Sequence, residues 1–287
     1  MMIAQTPSDL RHYLGTIKQE RIALVPTMGC LHAGHISLIR KAKRLADIVV
    51  VSIYVNPLQF GENEDFGQYP RVFEDDAAIC KAEGVDYIFH PHSLYADDGA
   101  KITLQVHDLD KPLCGASRMG HFDGVVTVVN ILFNVVQPNI AVFGEKDWQQ
   151  LAIIHRMVSD LHMPIEIVGS EIIREDDGLA MSSRNRYLNK QERTLAPKLY
   201  NTLQSMQSFA SQTHHIKDIL QHGLAQLEQH PIAVEYLDIR DERSLQSVSS
   251  MDENVQPRIF IAAKIGNTRL LDNAPLFRQD LTEKDIL

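Results

Sequence analysis

The arrangement that most restricts the fold lies near the start of the chain: an apolar run at 22–26, a turn containing Gly29, apolar residues at helical spacing over 33–46, and a second apolar run at 48–55. The second run is rich in β-branched residues and barely alternates, as expected of a parallel strand covered on both faces. Parallel neighbours need a crossover, and the intervening helix supplies one, so the segment reads as a βαβ unit. It is far too short and interrupted to cross a bilayer.

Helical character over 73–83, a strand-like 87–90, a long apolar segment at 125–136 and a short apolar run at 140–143 continue the alternation. The expected fold class is therefore α/β, a Rossmann-like doubly wound parallel sheet. Thirteen of the fifteen glycines precede Leu179, and the later chain turns rich in Gln and Ser. That shift places a boundary near Asn185, giving domains of 1–184 and 185–287. The second is expected to be a smaller α+β domain: helices at 190–211 and 216–229, strands at 234–240, 258–265 and 268–271, and a turn at Gly266-Asn267.

Composition excludes more than it assigns. Hydrophobic residues make up 44% and charged residues 23%, ordinary for a folded chain of 287 residues. A net charge of −9 argues against a broad nucleic-acid interface, so any anion site must be local. Cys30, Cys80 and Cys114 are scattered, without a CxxC pair, which fits a reducing compartment. The first residues lack the apolar core of a signal peptide, and the expected location is cytoplasmic, with no membrane partner.

Three motifs carry chemistry, and all fall where strands of such a sheet end. In PTMGCLHAGH, 26–35, a strand end, a glycine turn and two histidines open a helix. Helix N-terminal N–H groups attract anions, Gly29 and Gly34 permit close backbone approach, and imidazole N–H groups donate to phosphate oxygens. His32 and His35 are thus expected to face a polyphosphate, although a bare HxxH is also satisfied by one capping and one surface histidine. Zinc is disfavoured, since helical zinc pairs are spaced i,i+4.

In FGEKDWQQL, 143–151, Gly144, Lys146 and Asp147 follow a strand, with Lys146 able to neutralise phosphate and Asp147 able to accept from a ribose hydroxyl or merely to cap a helix. In REDDGLAMSSRNRYL, 174–188, the hydroxyls of Ser182 and Ser183 and the guanidinium of Arg184 suit phosphate oxygens, with Gly178 suggesting a mobile loop. Read alone, that stretch is also an ordinary linker.

HxGH and the Met-Ser-Ser-Arg stretch resemble the nucleotidyltransferase and class I synthetase superfamily. Together with VVVSIYVNPLQFG and GHFDGVVTVV, and in this order, the strings are similar to the pantothenate synthetase (pantoate–β-alanine ligase) family over nearly the whole chain. The resemblance implies ATP-dependent condensation of pantoate with β-alanine through an acyl adenylate, and usually a homodimer. It implies ATP contacts from Met28, Gly29, His32, Gly34, His35, Gly144, Glu145, Lys146, Asp147, the Ile173 backbone, Met181, Ser182, Ser183 and Arg184. His35, His32, Lys146 and Arg184 would be the catalytic groups.

The same resemblance implies a pantoate pocket at Gln59 and Gln150, β-alanine beside Gln59, Arg118 and His121 near the substrate entrance, and Mg²⁺ at Asp75 and Asp76 or mainly on ATP. Asp75 and Asp76 suit the first turn of a solvated helix equally well. Two departures stand out: Cys30 where relatives often have alanine, and Asn130-Ile131 where they often have a polar residue and lysine. A phosphate-monoester nucleotidyltransferase and a non-catalytic nucleotide sensor are the competing readings.

Overall fold

The computed structural model describes residues 1–17, 19–62, 64–213, 215–250 and 254–277. They divide into two compact units: Met1–Glu145 with Gln149–Ile173, and Lys146–Trp148 with Arg174–Leu287. The sequence placed the division at Asn185; contacts place it after Ile173, so the Met-Ser-Ser-Arg stretch counts with the second unit, and so does Lys146.

The first unit is a six-stranded sheet built from β1 (Met2–Ala4), β2 (Ile22–Thr27), β3 (Ile48–Ile53), β4 (Tyr87–Phe89), β5 (Ile140–Gly144) and β6 (Glu166–Ser170). Their order is β1-β4-β3-β2-β5-β6, and every pairing is parallel. The strand order reverses beside β2, where β3 lies on one side and β5 on the other, and α/β sheets bind ligands outside the carboxyl ends at such a point. The segment after Thr27 opens there.

Both faces are covered, as the unalternating strands require. Ala23, Val25, Val49, Val51, Ile140 and Val142 pack with Leu38, Ile39 and Ala42 of α2 (Ala33–Leu45) and with Cys80 of α3 (Phe73–Ala82). Leu24, Val50 and Ala141, which alternate with them, are fully buried too, so the opposite face is also dry. The apolar segment at 125–136 lies in a helix, α5 (His121–Val136), which packs against β2 and against α1 (Pro7–Leu14).

Several elements had no strong signal. β1 is three residues long, and β6 carries its apolar residues in a short run. α1 is set by its cap: Thr6 Oγ1 accepts the Asp9 N–H at 3.1 Å and Pro7 occupies the first turn, where its missing N–H costs nothing. A short helix α4 (Cys114–Ser117) precedes α5, and α6 (Trp148–Asp160) follows β5.

The second unit is an antiparallel sheet, β7 (Ala233–Asp241), β8 (Pro257–Ile265) and β9 (Thr268–Pro275), in that order, packed with α8 (Lys198–Ala210) and α9 (Ile216–Leu227). Gly266, at φ +59°, makes the β8–β9 turn. The helix expected at 190–211 is corrected to two: α7 (Lys190–Leu195) ends before Pro197, which has no N–H to continue the ladder, and α8 begins just after it, although Ala196 and Pro197 keep helical backbone angles. The strand expected at 268–271 runs on to Pro275. Among the described residues no helix is long and apolar enough to cross a membrane.

Candidate active site

The loop from Met28 to Leu31 is held in a shape few sequences adopt. Gly29 has φ +81° and Cys30 φ +53°, the second costly for a residue with a Cβ. The Thr27 hydroxyl donates to the Ser52 carbonyl at 2.7 Å and accepts the Gly29 N–H at 3.1 Å. Asp76, reaching in from the first turn of α3 and only 1% exposed, accepts the Cys30 N–H at 2.9 Å on one carboxylate oxygen and the Leu31 N–H at 2.7 Å on the other. A Cβ at Gly29 would sit 2.8 Å from Asp76 Oδ2, so glycine is required by space as well as by φ.

That loop delivers two imidazoles to the start of α2. His32 is the N-cap, its Nδ1 accepting the Gly34 N–H at 3.1 Å, and His35 Nδ1 accepts the His32 N–H at 3.3 Å, with ring centroids 4.1 Å apart. An Nδ1 that accepts cannot carry the proton, so the neutral tautomer of each ring is Nε2–H. The first turn of α2 contains no acidic residue to offset its positive end. Two oriented donors at a helix N-terminus form an anion-binding arrangement.

Gln59 lies in a 3₁₀ turn, Pro57–Gln59, capped by Asn56. Its Nε2 donates to Met28 Sδ at 3.1 Å, and its Oε1 accepts from Asn56 Nδ2 at 3.1 Å, which also donates to the Gly124 carbonyl at 3.0 Å. Asn56, 1% exposed, additionally accepts from the Tyr95 hydroxyl at 2.7 Å. Burial pushes the Tyr95 phenol well above its ordinary value, so it stays a donor. Gly124 lets α5 approach this turn: a Cβ there would strike the Leu58 carbonyl. Asn56 and Gly124 were missed as site-forming residues, although an Asn before Pro at a short turn is a readable cap.

Arg118 and His121 are brought against the same turn. Arg118 grips Glu64 with two bonds, at 2.6 and 2.5 Å, and donates from Nη1 to His121 Nε2 at 2.8 Å. His121 Nδ1 then carries the proton and donates to the Gln59 carbonyl at 2.7 Å. Burial would raise the Glu64 pKa, but its bonds to Arg118 hold it below the ordinary carboxylate value. A cavity of about 440 Å³ opens beside these loops, lined by Met28, Pro57, Arg71, Phe73, Asp76 and His90 among others.

Of the two neighbouring amides on α6, Gln149 is buried and committed to loop backbone, donating to the Leu109 and Pro112 carbonyls and accepting the Cys114 N–H. Gln150, the residue expected in the pantoate pocket, is half-buried. Asp75 is exposed and Asp76 spends its carboxylate on backbone, and among the described residues no group of three or more His, Cys, Asp or Glu is placed to hold a metal ion. Ile131 is half-buried on α5.

The second unit carries the other expected groups. Lys146 Nζ lies 3.2 Å from both carboxylate oxygens of Asp147, a pairing that competes with the ribose role envisaged for Asp147. Ser182 caps a 3₁₀ turn, Ser183–Tyr187, by accepting the Arg184 N–H at 3.3 Å, and Ser183 is buried. Met181 and Arg184 are half-buried, as are Ile173, Gly144 and Glu145 in the first unit. Gly178 has φ +90°, and a Cβ there would meet the Tyr200 ring, on which Arg174 also stacks at 3.6 Å. Arg174 pairs with buried Asp272 at 2.6 Å, and Arg193 bridges Glu175 and Asp177. These bonds anchor residues 174–177, the first part of the stretch in which the glycine suggested mobility.

The sequence model of the family described as Pantoate-beta-alanine ligase matches residues 2–275. The pantothenate synthetase of Acinetobacter baylyi is 47% identical over 254 residues, covering 88% of this chain and 89% of that protein. That of Chromohalobacter salexigens is 45% identical over 278 residues, covering 95% and 98%. Among solved structures, the pantothenate synthetase of Thermus thermophilus superposes with a TM-score of 0.91 at 41% identity, covering 97% of this chain and 100% of that one. The pantoate-beta-alanine ligase of Francisella tularensis, complexed with beta-gamma ATP and β-alanine, gives 0.78 at 32% identity, covering 96% and 98%.

Proposed function

The chain belongs to the pantoate–β-alanine ligase family, a premise from which we propose a reaction course and a role for each site residue. The activity is ATP-dependent ligation of pantoate to β-alanine. The observation that carries the assignment is the pair of histidines whose Nδ1 atoms are taken by backbone N–H groups, which puts the proton of each neutral ring on Nε2 at the start of α2.

In the first step a pantoate carboxylate oxygen attacks the α-phosphorus of ATP in line. The bond to the bridging oxygen breaks, pyrophosphate leaves with the electron pair, and pantoyl adenylate forms. His32 and His35 donate to phosphate oxygens on which charge grows, while Gly29 and Gly34 let the backbone approach. Lys146, Ser182, Ser183 and Arg184 are assigned to the same triphosphate. Met28, Gly144, Glu145, Asp147, Ile173 and Met181 are assigned to the rest of the nucleotide.

In the second step the β-alanine amine attacks the activated carbonyl, the bond to AMP breaks, and the amine loses a proton as the amide forms. Gln59 and Gln150 bind pantoate hydroxyls, and β-alanine enters beside Gln59. An amide held like that of Gln59 discriminates strongly, because a substrate lacking the matching hydroxyl leaves it unpaired. A lid role for 185–287 keeps water from the adenylate.

The described acidic residues do not fit a protein-held Mg²⁺, so Mg²⁺ is assigned to the phosphate oxygens of ATP. A cytoplasmic homodimer that binds neither nucleic acid nor membrane completes the proposal. It is tested by incubating the protein with ATP, pantoate and β-alanine: AMP and pantothenate are expected in equal amounts, and only when pantoate is present. Release of ADP, or nucleotidyl transfer to a phosphate monoester, would refute it.

A further inference from the structure

We infer that Asn273, supported by Arg258, is a positioning residue for Lys146, an inference that rests on the assignment of Lys146 to the triphosphate. In sequence Lys146 lies between β5 and α6, yet residues 146–148 belong by contact to the second unit. Three interactions explain why. Asn273 Nδ2 on β9 donates to the Lys146 carbonyl at 2.9 Å, the Trp148 indole N–H donates to the Glu242 carbonyl at 2.8 Å, and the Arg258 guanidinium stacks 3.3 Å from the Trp148 ring centroid.

The supporting groups are themselves fixed. Asn273 is 2% exposed and Arg258 7% exposed. Arg258 Nη1 donates to Asn273 Oδ1 at 2.8 Å, which obliges the amide to turn its NH₂ toward Lys146. The Glu242 carboxylate accepts from Arg258 Nε and Nη2 at 3.2 and 3.1 Å, so the buried cation is paired and its plane is set. A carbonyl held from a rigid strand fixes the peptide plane at Lys146 and hence the direction in which its side chain leaves the backbone. Since a displacement of about 1 Å at a reacting centre costs roughly a hundredfold in rate, this link is kinetically significant.

Asn273→Asp isolates the link, because it keeps the acceptor for Arg258 and replaces the donor to Lys146 by a carboxylate oxygen. Turnover is expected to fall about 10- to 100-fold, with the KM for β-alanine little changed and the thermal midpoint lowered, because a carboxylate oxygen then faces the Lys146 carbonyl in a buried site. In a Lys146→Ala background the same substitution should add less than about threefold, because the group it positions is gone.

Multiplicative loss in that background, or parental turnover in Asn273→Asp, overturns the inference while leaving the Lys146 assignment intact. Parental turnover in Lys146→Ala overturns both. Should Asn273→Asp fail to fold, Asn273→Ala removes the same donor to the Lys146 carbonyl without adding a charge beside buried Asp272. The same absorption into Lys146→Ala is expected of it, and multiplicative loss again contradicts the inference.

Discussion

Asp76→Ala is expected to lower turnover by roughly a hundredfold or more and to destabilise the first unit by about 2–6 kcal/mol, because two buried N–H groups lose their acceptor at about 1–3 kcal/mol each. The Cys30 and Leu31 N–H groups both point at this carboxylate, and the loop they belong to runs through two residues at positive φ. Such a backbone persists only while its surroundings over-determine it. Once released, it would no longer deliver His32 to its cap position. Asn at this position retains one good acceptor and should be intermediate in both respects. Chemical denaturation with steady-state kinetics makes the comparison. Raising Mg²⁺ should not restore Asp76→Ala, whereas restoration by the metal would mean that Asp76 serves as a cation ligand.

His35→Asn is expected to reduce adenylate formation by about 10- to 1,000-fold with little loss of stability. The substitution separates two jobs of one side chain. The Asn carbonyl oxygen can take over the bond that Nδ1 accepts from the His32 N–H, preserving the reciprocal cap at the start of α2. Nothing in Asn reproduces the Nε2–H. His35→Ala should show the same kinetic loss together with about 1 kcal/mol of lost cap energy. Single-turnover measurement of pyrophosphate release decides the matter, and a parental rate in His35→Asn would confine His35 to capping.

What the sequence disclosed and what it hid follow from the range of the interactions involved. The βαβ unit at 22–55 was readable because a change of hydrophobic period is local, and so were the β8–β9 turn at Gly266 and the glycine loop before α2. Short β1 and β6 were not, since strands of three and five residues, the second with Glu166 and Ser170 at its ends, are not identifiable until neighbours pair with them. Pro197 was a local signal that the helical periodicity around it masked. The partnership of Asp76 with Cys30 spans 46 positions and that of Asn273 with Lys146 spans 127, so no pattern in the chain announces either. Asp76 read as a solvated helix-start carboxylate or a cation ligand, and only its burial against the loop shows the backbone to be what it binds.

In the proposed reaction an acyl adenylate forms before the amine enters, with His32, His35 and Lys146 as the phosphate-binding groups. Isotope exchange between labelled pyrophosphate and ATP, measured with purified protein and pantoate but without β-alanine, tests this most directly. Exchange that depends on pantoate and collapses in His35→Asn is the expected result. Exchange that requires β-alanine, or that proceeds without pantoate, would contradict it.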